Sequence, residues 1–175
     1  MGRPRLYLSA SIANAPINAR LRDALLPAYE LVLPQEFTPD GSHVTLPRAI
    51  FDRCIEEMDR CDAAIVLLDA LGVDCAMECG FLLARKKKVI AIAGSSVQFA
   101  RHWMVKGALS AVVTFDPLVA ETCRTDAILG QGEAPRGDGN GNGNGSGNAN
   151  ANAPVQAYVV KDWGEIAEVL GRVLY

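Results

Sequence analysis

Three carboxylates crowd the stretch 68–80: Asp69, Asp74 and Glu78. Asp74 and Glu78 stand four apart, so on a helix they share a face, near that helix's positive N-terminal end. Such an end favours an ionised carboxylate, which suits Glu78 as a nucleophile rather than a proton donor. Two or three carboxylates around one cleft divide the labour when their surroundings separate their pKa values, one attacking carbon and another handling a proton. The same spacing also fits plain helix architecture, with Asp74 a cap and Glu78 a solvated residue, because acidic first turns are common. Cys75 and Cys79 flank Glu78 at helical spacing. With no C-x-x-C and no second Cys or His pair at zinc-finger spacing, they read as small buried thiols, and neither a metal nor a cofactor is expected.

Other groups admit two readings each. Ser9, Ser11, Ser95 and Ser96 fall at strand ends, where hydroxyls and free backbone N–H groups hold a phosphate or a 5′-hydroxyl, or else form turns. His102 beside Trp103 is a site candidate or a packed histidine, whereas His43 sits in a polar loop and reads as solvated. The basic run Arg85, Lys86, Lys87 and Lys88 complements the dipole of a helix end without needing an anion.

Elements to position these groups alternate along the chain. Residues 6–8 form a short apolar strand. Asn14 caps a helix with Pro16 in its first turn and Ile17, Leu21 and Leu25 on one face. A strand over 31–33 ends at Pro34, and a polar loop runs over 35–45. Pro47 opens a helix with Ile50, Cys54, Met58 and Cys61 on one side. The continuous apolar run 63–68 predicts a strand covered on both faces. A helix over 75–85, a strand over 89–93, a helix over 99–109 and a strand over 111–115 follow. A short sixth strand over 157–160 and a helix over 163–174 close the chain. Such alternation predicts an α/β fold, a doubly wound five-stranded parallel sheet of Rossmann-like type with strand order 2-1-3-4-5 and helices on both faces. Ligands of such sheets bind at the carboxyl ends of the strands, so the loops after Leu8, Leu68 and Ala93 are the places to look.

The 175 residues, half of them apolar, suffice for a single domain with its own core. One insert interrupts it between 130 and 155: residues 137–153 are nearly all Gly, Asn and Ala, predicting a disordered loop. Its glycines do not follow G-x-G-x-x-G. With 17 basic against 20 acidic side chains the chain lacks the charge of a nucleic-acid binder, so no nucleic acid polymer is expected as a partner. No apolar run reaches membrane-spanning length, so no membrane partner is expected either. Five cysteines without a secretory signal predict a cytoplasmic protein.

The ordered set formed by residues 61–69, then Asp74, Glu78 and Gly80, then Lys88, Val89 and Ile90 resembles the nucleoside 2-deoxyribosyltransferase family. That pattern is an aspartate before an apolar strand, a second near its end, a third in the turn, and Glu-x-Gly on the next helix. Residues 6–11 resemble the family's first strand and loop, and residues 102–108 resemble a later helix that reaches into the neighbouring subunit's site. The resemblance spans roughly residues 5–115. It implies that Glu78 attacks C1′ of a 2′-deoxynucleoside, expels the base and holds the sugar as a glycosyl ester until an incoming free nucleobase releases it. Tyr7 would fix Glu78, and Asp74, with Asp69 as a second candidate, would meet the base edge and assist proton transfer to its ring nitrogen. Ser9 and Ser11 would bind substrate, and His102 and Met104 would contact the sugar's 5′ end across a homo-oligomer interface. Two departures stand out: Asp74 precedes Glu78 by four residues where members have six, and Cys54 occupies the place of a helix aspartate or asparagine. Tyr175 echoes members whose final carboxylate approaches the site. An N-glycosidase acting on nucleotides or deoxynucleoside 5′-monophosphates, and a non-catalytic nucleotide-binding module, fit the same residues.

Overall fold

Side chains that alternate in and out of a sheet need helices on whichever faces are apolar, and here both faces are. The computed structural model describes residues 2–37, 46–69, 71–95, 102–131 and 155–175. His43, Ser96, the start of the helix expected over 99–109 and the Gly/Asn-rich stretch 137–153 lie outside the described residues. Six strands, β1 (Arg5–Ser9), β2 (Glu30–Val32), β3 (Ala63–Leu67), β4 (Lys88–Ala93), β5 (Ala111–Thr114) and β6 (Gln156–Val159), form one parallel sheet in the order β2-β1-β3-β4-β5-β6. The expected order holds for the first five. The short strand expected near the end of the chain joins as a sixth, pairing Ala157 with Val112.

Helices cover both faces: α1 (Ala15–Leu25), α2 (Leu46–Arg60), α3 (Val73–Ala84), α4 (Trp103–Ala108), α5 (Pro117–Gln131) and α6 (Trp163–Leu174). Period-two alternation divides the core between them. Leu6, Leu8, Ile65, Leu67, Ile90 and Ile92 face α1 and α6, whose Leu21, Leu25, Ile166 and Leu170 are buried there. Tyr7, Ala64, Val66, Val89 and Ala91 face the other layer, with Met58 of α2, Cys79 and Leu82 of α3, Val105 of α4 and Val119 of α5. The elements expected from the sequence leave out α5, although Pro117 opens it and Val119, Cys123 and Ala127 recur four apart; Val119 and Cys123 are buried.

The basic run works differently from the expectation. Lys87 Nζ donates to the Asp59 and Cys61 carbonyls at the end of α2, at 3.0 and 2.6 Å. Lys88 Nζ donates to the Val173 and Leu174 carbonyls at the end of α6, at 2.8 and 3.1 Å. The two lysines therefore satisfy the exposed carbonyls of neighbouring helices rather than of α3 itself. No helix among the described residues is long and apolar enough to cross a membrane.

Candidate active site

Gly72 precedes α3 in an extended conformation, and the helix then buries Cys75, Glu78, Cys79 and Leu82. That is the i, i+3, i+4, i+7 stripe of an amphipathic helix, and Glu78 stands inside it. A carboxylate carried into an apolar face must find donors. β1 provides them: Tyr7 and Ser9 point to the α3 side because they are two apart, and the small Ala64 pairs with Tyr7 on the next strand.

Tyr7 Oη donates to Glu78 Oε1 at 2.6 Å, and Ser9 Oγ donates to Glu78 Oε2 at 2.6 Å. Tyr7 and Ser9 are fully buried, and Glu78 is 8% exposed. Both carboxylate oxygens are thus held in one geometry, the opposite of a solvated helix residue. Burial pushes the Glu78 carboxyl above the usual carboxylate range; the Ser9 and Tyr7 hydroxyls pull it back, and Asp74 adds a further upward push. Burial, followed by the negative charge of Glu78, drives the Tyr7 phenol far above its ordinary value, so Tyr7 stays protonated and can only donate to the carboxylate. The expectation that the helix end governs the charge of Glu78 is corrected here. Glu78 lies in the second turn of α3, where the dipole has faded, and burial against two hydroxyl donors decides the balance.

The remaining candidates divide. Asp74 is exposed in the first turn of α3 and is close enough for its charge to act on Glu78. Asp69 Oδ2 accepts from the Gly94 backbone N–H at 2.6 Å, tying the loop after β3 to the end of β4. A Cβ at position 94 would come within 2.6 Å of that oxygen, so the close approach requires glycine. Asn14 precedes α1 without capping it; its Nδ2 donates to the Asp69 carbonyl at 3.0 Å instead. Ser11 Oγ accepts from the Ala13 N–H at 3.3 Å, the turn-forming use of that hydroxyl. His102 precedes α4 with its Nε2 buried and without a hydrogen-bond partner among the described residues. Met104 is 90% exposed on α4, so within one chain it touches no buried crevice. Tyr175 lines a cleft of about 490 Å³ with Arg3, Asp62, Lys86 and Lys88. Those residues mark the amino ends of the strands, opposite the Ser9 end of β1, so within one chain Tyr175 and Glu78 are at opposite edges of the sheet.

Local sequence signals did not place Cys54 beside Glu78, because it belongs to a different helix. Burial, with the negative charge of Glu78 adding to it, raises the pKa of both the half-buried Cys54 of α2 and the buried Cys75 of α3. Cys75 could have been found from its spacing with Glu78 on the buried stripe.

Known proteins are similar to this chain in fold and in family pattern. A crystal structure of a conserved protein from Enterococcus faecalis V583 is 14% identical, covering 98% of this chain and 99% of its own, with a TM-score of 0.54, and shares the fold. A 2-deoxyribosyltransferase from Bacillus psychrosaccharolyticus is 15% identical over 62% of this chain and 84% of its own, with a TM-score of 0.47. The CMP N-glycosidase BcmB of Clostridium botulinum is 16% identical over 70% of this chain and 98% of its own, with a TM-score of 0.42. No curated protein matches the sequence. The model of the nucleoside 2-deoxyribosyltransferase family matches residues 6–136, a span that holds Tyr7, Ser9, Asp69, Asp74, Glu78 and α4. A match over most of the chain means that the protein belongs to the nucleoside 2-deoxyribosyltransferase family.

Proposed function

We propose that the protein transfers the 2-deoxyribosyl group between nucleobases through a covalent ester on Glu78, an exchange that serves purine salvage. The observation that carries this reading is the buried Glu78 carboxylate gripped by Tyr7 and Ser9 at 2.6 Å each. A carboxylate fixed by two donors has little freedom left to lose when it meets the anomeric carbon. Its charge also favours the oxocarbenium character that develops as the C1′–N bond breaks. In the first half-reaction a Glu78 oxygen bonds to C1′, and the electron pair of the C1′–N bond leaves with the base. Asp74, exposed one turn earlier on α3, passes a proton to the departing ring nitrogen. Asp69, held by Gly94, meets the base edge, while Ser11 and His102 line the sugar side. The second half-reaction reverses these steps with a new base. Neither step calls on a metal or cofactor.

The experiment is incubation of the protein with deoxyinosine, with and without free adenine. Deoxyadenosine formed when adenine is added supports transfer. Hypoxanthine released at the same rate without adenine would replace transfer by N-glycoside hydrolysis, with water as acceptor. A test on deoxynucleoside 5′-monophosphates extends that arm. Failure of both reactions, with nucleoside still raising the melting temperature, would leave a nucleotide-binding module.

The proposal includes a homo-oligomer with shared sites and a cytoplasmic location. Cys54, Cys61, Cys75 and Cys79 are free thiols, which suits a reducing compartment. Val73 and Met77 on α3 and Trp103 and Met104 on α4 are 89%, 53%, 81% and 90% exposed, on two helices that pack together. Large apolar side chains so displayed suit burial against a second copy, which would bring Met104 and His102 to the partner's Glu78. Sedimentation equilibrium should report a dimer or larger. Trp103→Asp with Met104→Lys should shift it to monomer and lower exchange at least about tenfold, by roughly 1.4 kcal/mol of lost transition-state stabilisation. A monomeric native protein would end this part of the proposal.

A further inference from the structure

Glu78 meets Tyr7 and Ser9 on the α3 face of the sheet. On the opposite face, at the same carboxyl ends of the strands, lies a pocket of about 180 Å³. Its wall is apolar. Ile17 comes from the first turn of α1, and Leu67 and Ile92 are paired at the ends of β3 and β4. Period two turns these two toward α1 and α6 and Tyr7 the other way. Phe115, just after β5, and Trp163, which opens α6, complete the wall. Trp163 is braced by Phe115, with ring centroids 5.2 Å apart and planes at 51°, and by the Arg20 guanidinium 5.6 Å from its ring centroid.

Asn14, Asp69 and Gly94 form the polar rim. The Gly94 N–H already donates to Asp69 Oδ2, and Asn14 Nδ2 donates to the Asp69 carbonyl. Asp69 Oδ1 and Asn14 Oδ1 accept no hydrogen bond among the described residues. The rim therefore offers acceptors, one of them negatively charged, to a ligand that brings N–H donors. Size limits that ligand further. An apolar cavity of about 150 Å³ takes one benzene ring, so this pocket is on the scale of one small flat ring system.

We propose that the pocket is a second binding site, for a free heteroaromatic base: an uncharged flat ring seated against Ile17, Leu67, Ile92 and Trp163, with N–H groups donating to Asp69 and Asn14. The site lies across the sheet from Glu78 and does not depend on covalent transfer. In the transfer reading Asp69 serves a base beside Glu78, whereas here it meets one from the α1 side.

The test is an NMR titration of the full chain with adenine, following the Trp163 indole N–H, assigned by its loss in Trp163→Phe. That signal and the Gly94 amide should shift saturably, with the same midpoint in Glu78→Gln. Ile17→Phe, at a position 39% exposed on α1, crowds the pocket and should raise the midpoint at least about tenfold. Toluene, a flat ring without N–H, should bind at least about tenfold more weakly than adenine. Asp69→Asn should weaken adenine by about tenfold and leave toluene unchanged, because toluene reports on the apolar wall alone. A Trp163 signal that stays still, or that moves equally in Ile17→Phe, would overturn the proposal. So would shifts lost in Glu78→Gln, which would put adenine only in the site beside Glu78. Toluene binding as tightly as adenine, or equal effects of Asp69→Asn on both, would overturn it by removing the polar rim from recognition. Absence of base exchange leaves these shifts unaffected, so the two readings fail separately.

Discussion

Glu78→Gln should lower base exchange at least about 10⁴-fold, a loss typical of removing a covalent nucleophile, with the sheet and melting temperature little changed. The amide matches the carboxylate in size and leaves the stripe of Cys75, Cys79 and Leu82 packed as before. It cannot form the glycosyl ester, and its NH₂ group presents a donor to a hydroxyl that in the native site donates. The measurement is kcat/KM for deoxyinosine with adenine, paired with intact-mass analysis after brief exposure to substrate. The wild type should gain the mass of a deoxyribosyl group on the peptide containing Glu78, and the variant should not. A fully active glutamine variant would remove the covalent mechanism altogether.

Tyr7→Phe should cost about 10- to 100-fold in kcat/KM and move the acid limb of the pH profile upward. The phenylalanine ring fills the same fully buried space, so the change isolates one hydroxyl. A hydrogen bond to a charged group contributes about 1.5–3 kcal/mol, and each 1.4 kcal/mol is tenfold in rate. The sign of the pH effect follows from the opposing influences on Glu78. Burial raises its pKa, and the two hydroxyls lower it. Removing one hydroxyl lets burial gain, so ionisation requires a higher pH and the fraction of competent nucleophile falls first under acid conditions. Ser9→Ala should act in the same direction through the other oxygen. A profile that simply scales down at every pH would mean that Tyr7 serves packing alone.

The linkage between charge and folding runs the same way. The Glu78 carboxyl has a folded-state pKa above its unfolded value, so the folded state binds its proton more tightly. The associated stabilisation is fully present below the unfolded pKa and is lost as pH rises through the folded one. At neutral pH the protein bears the cost of a buried anion, which fits a group retained for chemistry rather than for stability.

The architecture was legible in the chain because it repeats short-range signals. The run 63–68 is apolar without interruption, as a central parallel strand must be, and β3 is buried along its whole length. Leu21 and Leu25, spaced one turn apart, are both buried in the core. The reading misses α5, where Arg124, Thr125 and Asp126 interrupt an apolar spacing that resumes at Ala127. The importance of the stretch from Asp69 to Glu78 was also legible, since carboxylate spacing on a helix is a local property. The relation between those carboxylates was not. Asp74 is exposed, Asp69 is tied to Gly94, and Glu78 is carried inward to hydroxyls 69 and 71 residues away in the chain.

Local order therefore determined most of the strands and helices and the placing of Asp74 and Glu78 one turn apart on the same helix. The tertiary structure decided what Glu78 meets there: the Tyr7 and Ser9 hydroxyls from β1. The reason is that helix and strand periodicity follows from backbone geometry over a few residues. The charge state and orientation of a buried carboxylate depend instead on donors that reach it only when β1, α2 and α3 pack against one another.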